Sequence, residues 1–143
     1  MTRIVATGTF DLLHPGHILY LERSKALGDE LVVIVARDVN VKHKPKPIVP
    51  EDQRLRMIGA LRVVDRAILG DESDIYKPLK EIEPDIITLG YDQHFDPCAL
   101  ETELSRRGLK ARVVRIEAND PCYLCSSRRI VGKILETRSQ KAV

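Results

Sequence analysis

Two histidines, His14 and His17, flank a Pro-Gly pair where a helix is expected to begin. They close the segment 8–17, which follows a short apolar stretch typical of a β-strand. Backbone N–H groups at a helix start favour an anion, and imidazole N–H groups donate hydrogen bonds to phosphate oxygens at neutral pH. Because Gly16 has no side chain, a phosphate is expected to approach the backbone closely there. The combination indicates phosphate chemistry at this turn.

Nucleotidyl transfer is one reaction that such a turn could support. A phosphate oxygen of the acceptor attacks the α-phosphorus of a nucleoside triphosphate in line, and pyrophosphate leaves. Because the acceptor phosphate is already ionised, the reaction needs positioning and charge stabilisation, without a strong base or a covalent intermediate. The structural alternative is that either histidine is a helix cap or a core residue, and the His-x-Gly-His pattern disfavours it.

Alternating strand-like and helix-like segments must position this turn. Short apolar runs predict strands at residues 3–6, 31–36, 64–69, 85–89 and 112–116. Helices are predicted at residues 15–27, 51–61, 76–82, 97–107 and 126–138. This order predicts one α/β domain over residues 1–143 with a parallel sheet of about five strands, ending in a short flexible tail. Ligands bind such sheets outside the carboxyl ends of the strands.

Composition narrows the class of protein. Of the 143 residues, 43% are hydrophobic and 31% are charged, an ordinary balance for a soluble globular domain. The formal net charge is only +2, which gives no reason to expect nucleic-acid binding. The longest clean apolar run, residues 31–36, is too short to span a bilayer, and no export signal precedes the first strand. We therefore expect a cytoplasmic protein without a membrane or nucleic-acid partner.

The chain has three cysteines, Cys98, Cys122 and Cys125. An odd count in a chain expected to be cytoplasmic argues against a disulfide framework. Cys122 and Cys125 form a single Cys-x-x-Cys pair, whereas structural zinc usually needs four ligands. We therefore predict no metal ligands among the side chains, and a redox role for the pair is the less favoured alternative.

The segment 8–17 reads Gly-Thr-Phe-Asp-Leu-Leu-His-Pro-Gly-His. It resembles the signature of the HxGH nucleotidyltransferase superfamily, specifically its cytidylyltransferase-like branch, and the order of strands and helices matches over nearly the whole chain. That branch includes glycerol-3-phosphate cytidylyltransferases and archaeal-type FAD synthetases, which are FMN adenylyltransferases. The resemblance implies a Rossmann-like three-layer α/β sandwich, a homodimer, and a divalent cation, normally Mg²⁺.

The resemblance also implies roles for residues in the first half of the chain. It implies that Thr9 and Phe10 hold the nucleotide through their backbone. Triphosphate binding and transition-state stabilisation are implied for the His-x-Gly-His residues, His14, Pro15, Gly16 and His17. Lys46, in the loop after the second strand, resembles the family lysine that reaches the phosphates, and it joins the two histidines as a catalytic residue. The structural alternative for Lys46 is a solvated charge in a basic loop.

Later segments complete the implied site. Asp92 matches a family segment near the nucleoside, and Asn119 lies in a loop expected to influence the choice of base. Ser126 and Ser127 match the serine-rich start of the last helix, another anion-binding end. The family motif commonly continues with a hydroxyl residue, where this chain has Arg128. Val131 stands where the motif usually has a basic residue, so Arg128 or Arg129 is expected to substitute. The structural alternatives are a turn residue for Asp92 and a helix cap for Ser126.

Finer resemblances concern the acceptor. The Val-Ala-Arg-Asp end of the second strand and the Cys-x-x-Cys-Ser-Ser region are more similar to archaeal-type FAD synthetases. This implies ATP and FMN as substrates, giving FAD and pyrophosphate. Aromatic surface for a flavin is expected from four residues in or beside the site loops, Phe10, Tyr91, Phe95 and Tyr123. The alternatives are a cytidylyltransferase that makes a CDP-polyol such as CDP-glycerol, and a non-catalytic nucleotide-binding or redox-sensing module.

Overall fold

Five strands and five α-helices alternate along the part of the chain that the structure describes, as the sequence pattern predicts. The computed structural model describes residues 1–42, 45–91, 93–117 and 121–139. The strands are β1 (Arg3–Gly8), β2 (Glu30–Val35), β3 (Arg66–Leu69), β4 (Ile86–Leu89) and β5 (Arg112–Arg115). The helices are α1 (Pro15–Lys25), α2 (Glu51–Gly59), α3 (Lys77–Ile82), α4 (Pro97–Arg106) and α5 (Ser127–Arg138). A short 3₁₀ turn, Asp38–Asn40, was not predicted.

The strands form one parallel sheet in the order β3-β2-β1-β4-β5. The chain fills one half of the sheet from β1 to β3 and then crosses to the other side of β1 for β4 and β5. Gly8 pairs with Val35, and Leu89 pairs with Arg115, so the carboxyl ends of neighbouring strands meet at one edge. The strand order reverses between β1 and β4, which is where open parallel sheets bind ligands.

A layer of helices covers each face of the sheet. Ile4 and Ala6 of β1 contribute to a buried core with Leu21 of α1, and side chains of α2 join the same core. Val5 points to the other face, where it packs in a second core with Leu104 of α4 and with side chains of α3. The three-layer sandwich expected for this chain is therefore present. Within the described ranges, no helix combines the length and apolar composition needed to cross a bilayer.

Candidate active site

The two histidines form a capping box at the start of α1. His14 is the N-cap residue, and its Nδ1 accepts a hydrogen bond from the backbone N–H of Gly16 at 3.1 Å. Nδ1 of His17 accepts from the backbone N–H of His14 at 3.3 Å. The rings stack with 3.8 Å between their centroids. Because a ring nitrogen that accepts a hydrogen bond carries no hydrogen, the neutral form of each ring presents its N–H at Nε2.

The His14 imidazole packs closely against Gly16. A Cβ at Gly16 would lie 2.9 Å from Cε1 and Nδ1 of His14, so the missing side chain leaves room for this ring, while the close approach of a phosphate stays a prediction. The same Cβ would lie 3.7 Å from the carbonyl oxygen of Cys125. The residues that precede α5 therefore lie beside the His-x-Gly-His turn.

The Phe10 ring packs against His17 and is buried. It was expected to give aromatic surface to the site, and it does not. The side chain is 4% exposed, and its ring centroid lies 5.4 Å from that of His17. Its φ of +56° is in the left-handed region, an uncommon conformation for a bulky residue that is held by its surroundings. Exposed aromatic surface comes instead from Tyr91, Phe95 and Tyr123.

Gly8 lets the Phe10 ring fold back over the end of β1, because a Cβ at Gly8 would lie 2.7 and 2.8 Å from two ring atoms. We expect Gly8→Ala to lower the free energy of unfolding by about 1–3 kcal/mol through overpacking, measured by urea denaturation. Gly132→Ala in α5 is the control, because nothing lies within 4 Å of its Cβ and alanine favours a helix. Equal stability of the two variants would contradict the close contact.

Asp11 anchors the loop after β2 on the His-x-Gly-His segment. Its carboxylate accepts hydrogen bonds from the backbone N–H groups of Ile48 at 3.0 Å and Val49 at 2.8 Å. Lys46 lies in this loop, is exposed, and donates from Nζ to the carbonyl oxygen of Asp38 at 2.9 Å. The ammonium group is therefore held near the carboxyl end of β2, where the resemblance places a phosphate-binding lysine.

A buried arginine joins the same segments beneath the surface. Arg54 of α2 is 0% exposed. It donates to the carbonyl oxygens of Thr9 at 2.7 Å, Ala36 at 2.8 Å and Val49 at 2.9 Å. It also forms an ion pair with Asp38 at 2.5 Å. Because a buried guanidinium is stable only when its charge and its donors are matched, Arg54 fixes these backbone segments relative to each other.

Sequence reasoning missed Asp11, Asp38 and Arg54. The available signal was the position of Arg54, four residues before the buried Ile58 on the inward face of α2, where an apolar side chain is expected. A charged residue there indicates a buried partner, which the pattern alone does not identify.

A further acid lies at the same edge, after β3. The carboxylate of Asp71 accepts hydrogen bonds from the backbone N–H groups of Ser73 at 3.0 Å and Asp74 at 2.9 Å. These hydrogen bonds lower the pKa of Asp71 below its usual value. Asn40 donates from Nδ2 to the Asp71 carbonyl at 2.8 Å, which connects this turn to the 3₁₀ segment after β2.

The start of α5 carries the predicted serines. Ser126 is the N-cap residue, and its Oγ accepts from the backbone N–H of Arg129 at 3.0 Å. Ser127 is the first helical residue, and Arg128 is exposed. The helix cap considered as the structural alternative for Ser126 is therefore present, while phosphate contacts by these residues stay predictions.

Asp92 and Asn119 lie outside the described residues, as do residues 140–143, where the flexible tail is predicted. The roles assigned to both side chains stay predictions.

The cysteine pair corrects one prediction. Cys122 and Cys125 form a disulfide with their Cα atoms 5.4 Å apart, so the argument against disulfides is wrong for this pair. An odd count argues against a framework of long-range bridges, but two cysteines three positions apart in a turn lie within bonding distance of each other. Cys98 is free and exposed.

Comparison with known proteins identifies the family of this chain. The cytidylyltransferase-like family matches residues 5–133. An FAD synthase from Methanothrix thermoacetophila is 69% identical over 138 residues, covering 96% of this chain and 96% of the relative. An FAD synthase from Archaeoglobus profundus is 63% identical over 136 residues, covering 95% of this chain and 88% of the relative.

Solved structures show the same fold. A lipopolysaccharide core biosynthesis protein from Thermoplasma volcanium has a TM-score of 0.81 and 53% identity, covering 84% of this chain and 99% of its own. A pantoate-β-alanine ligase from Francisella tularensis, in complex with β-γ ATP and β-alanine, has a TM-score of 0.60 and 17% identity, covering 92% of this chain and 64% of its own. That second likeness is one of fold alone. The family match and the relatives together show that the chain belongs to the cytidylyltransferase-like family of nucleotidyltransferases.

Proposed function

We propose that this protein is an FMN adenylyltransferase, which transfers AMP from ATP to FMN and releases pyrophosphate. Eight relatives named FAD synthase carry this proposal, with 60% to 69% identity over 95% or more of this chain. The intact His-x-Gly-His turn, with both rings held by backbone hydrogen bonds, is the structural feature that supports catalysis rather than binding alone.

In the proposed reaction, an oxygen of the FMN phosphate attacks the α-phosphorus of ATP, and the bond to the bridging oxygen of pyrophosphate breaks. Nε2–H groups of His14 and His17 donate hydrogen bonds to the phosphate oxygens on which charge develops. Because the capping box holds both rings before substrate binds, little reorganisation is needed at the moment of reaction. Lys46 adds a positive charge at the same edge. The ionised FMN phosphate needs no base.

Magnesium is proposed to accompany the nucleotide. Among the side chains that the structure describes, no group of three or more His, Cys, Asp or Glu could hold a metal ion. Mg²⁺ bound to a triphosphate keeps several waters and needs only one or two carboxylates from the protein. A cation that arrives with ATP would take most of its ligands from the triphosphate and water, and it would supply charge neutralisation at the pyrophosphate.

A direct assay tests the proposed function. The purified protein is incubated with Mg²⁺ and either ATP with FMN or CTP with glycerol 3-phosphate, and pyrophosphate and the nucleotide product are measured. We expect FAD from the first pair and far slower CDP-glycerol formation from the second. Faster CDP-glycerol formation would overturn the assigned substrates, and a folded protein that makes neither product would favour a non-catalytic module.

Lys46 gives a prediction within the same assay. We expect Lys46→Ala to lower kcat/KM for ATP by about tenfold or more, because a held ammonium near the phosphates is lost. Lys42→Ala is the matched control, since Lys42 is an exposed lysine of the same loop. Steady-state kinetics at saturating FMN distinguish the two. Small and equal effects would mean that Lys46 is only a solvated charge.

We also propose a homodimer, as the resemblance implies, and a cytoplasmic location, as the sequence leads us to expect. Two apolar side chains of α5, Ile134 at 49% and Leu135 at 58%, are exposed in the single chain. Such residues are compatible with an interface between subunits. Light scattering of the purified protein measures its assembly state.

A further inference from the structure

One arginine at the end of β5 holds the loop that follows β4. This loop, residues 90–91 and 93–95, is called the β4 loop below. Arg115 donates from Nη1 to the carbonyl oxygens of Gly90 at 2.7 Å and Gln93 at 2.9 Å. It donates from Nη2 to the carbonyl oxygen of Phe95. Three carbonyl groups of one loop therefore converge on a single guanidinium.

Burial of apolar side chains contributes little to the shape of the β4 loop. Tyr91 is 50% exposed and Phe95 is 46% exposed. The other restraint comes from Gln93, whose Oε1 accepts from the backbone N–H of Gly90 at 2.6 Å and whose Nε2 lies 3.5 Å from Oγ1 of Thr7. Hydrogen bonds to Gln93 and Arg115 thus define the loop.

The guanidinium of Arg115 interacts with the carbonyl oxygens of this loop. No ion pair within 4 Å between described residues includes Arg115. Because the C=O and the following N–H of a trans peptide point in opposite directions, the N–H groups of Tyr91 and His94 point away from the guanidinium. Backbone N–H groups are the donors that match the acceptor nitrogens of an adenine ring.

The sheet topology indicates what the loop faces. Arg115 approaches from β5, on one side of β4, and β1 lies on the other side. The strand order reverses between β1 and β4, so the crevice expected for a ligand lies next to the β4 loop. The hydrogen bond from Gln93 to Thr7 of β1 crosses that same boundary.

We propose that Arg115 is a positioning residue that fixes the β4 loop for recognition of the ATP nucleoside. It acts through the backbone of the loop and leaves the phosphates to the His-x-Gly-His turn. The inference rests on the proposed function, because it assumes that ATP binds at the carboxyl edge of the sheet. Under this proposal, base recognition depends on β4 and β5, whereas phosphate chemistry depends on β1 and α1.

Binding of ATP alone, followed by calorimetry without FMN, tests this role. We expect Arg115→Lys and Arg115→Gln to weaken ATP binding by about tenfold, since neither side chain reproduces the guanidinium fork. In FAD synthesis, KM for ATP should rise by about the same factor while kcat changes less than about threefold and KM for FMN stays constant. Arg112→Lys is the control, because Arg112 is exposed at the opposite end of β5.

The outcomes distinguish the inference from the function on which it rests. Unchanged ATP affinity in a folded Arg115→Lys protein would overturn the inference, as would a fall in kcat with a constant KM for ATP. Unfolding of both Arg115 variants while Arg112→Lys stays folded would reduce Arg115 to a structural residue. Failure of the unmodified protein to bind ATP would instead count against the proposed function itself.

Discussion

Replacing His17 with alanine is expected to lower the turnover number for FAD formation by about a hundredfold or more. The variant loses the Nε2–H donor that stabilises charge on the transferring phosphate. Binding of ATP should change less than turnover, because the donor matters most when charge develops in the transition state. Measurement of kcat with both substrates saturating gives the size of the effect.

Stability must be separated from catalysis in this experiment. Nδ1 of His17 caps the backbone N–H of His14, so alanine also removes a cap, at a cost of about 1 kcal/mol of stability. His17→Gln is the matched variant, because a glutamine at this position keeps a capping acceptor. His14→Asn does the same for the N-cap. We expect His17→Gln and His14→Asn to have melting temperatures near that of the unmodified protein and a strongly lowered kcat. Normal turnover in a folded His17→Ala protein would contradict the proposed mechanism.

Arg54→Met is expected to have the largest effect on stability, a loss of about 3–5 kcal/mol in the free energy of unfolding. The substitution keeps an unbranched side chain but leaves Asp38 and the carbonyl oxygens of Thr9, Ala36 and Val49 without their donor. The Asp38 side chain is 43% exposed, so water compensates for part of its lost partner. We therefore expect a loss of about 3 kcal/mol in the free energy of unfolding.

Urea denaturation measures this effect, and Arg56→Met is its control. Arg56 lies on the same helix but is exposed, so its replacement should change stability by no more than about 0.5 kcal/mol. Arg54→Lys keeps the charge and loses the fork, and an intermediate stability is expected. Equal stabilities of Arg54→Met and Arg56→Met would show that the buried network contributes nothing net to folding.

The sequence predicted the architecture because the local signals agreed with one another. Continuous β-branched runs marked strands covered on both faces, and prolines at Pro15 and Pro97 marked helix starts that the structure confirms. Predicted ends lie within two residues of the observed ends. The 3₁₀ turn at Asp38–Asn40 was missed because it depends on hydrogen bonds to α2, which is distant in the sequence.

The residues by themselves predict the candidate site only within the short His-x-Gly-His segment, whereas Lys46 and Ser126 enter it through the resemblance. His14 and His17 were found because their spacing is local, and their mutual capping follows from the same spacing. The Arg54 network was missed because its partners come from three separate segments, which meet only in the folded sheet. Phe10 was misjudged because a left-handed backbone turns its ring inward, and residue type alone does not predict that conformation.

In the capping box, two backbone N–H groups at the start of α1 depend on the orientation and protonation of the histidine rings. The amide hydrogens of His14 and Gly16 are bonded to imidazole nitrogens rather than to carbonyl oxygens. Any event that rotates a ring or places a proton on Nδ1 also releases an amide hydrogen, so it alters the exchange of that hydrogen with solvent. Hydrogen–deuterium exchange at these two amides can therefore report on the histidine rings when a phosphate ligand binds, without turnover.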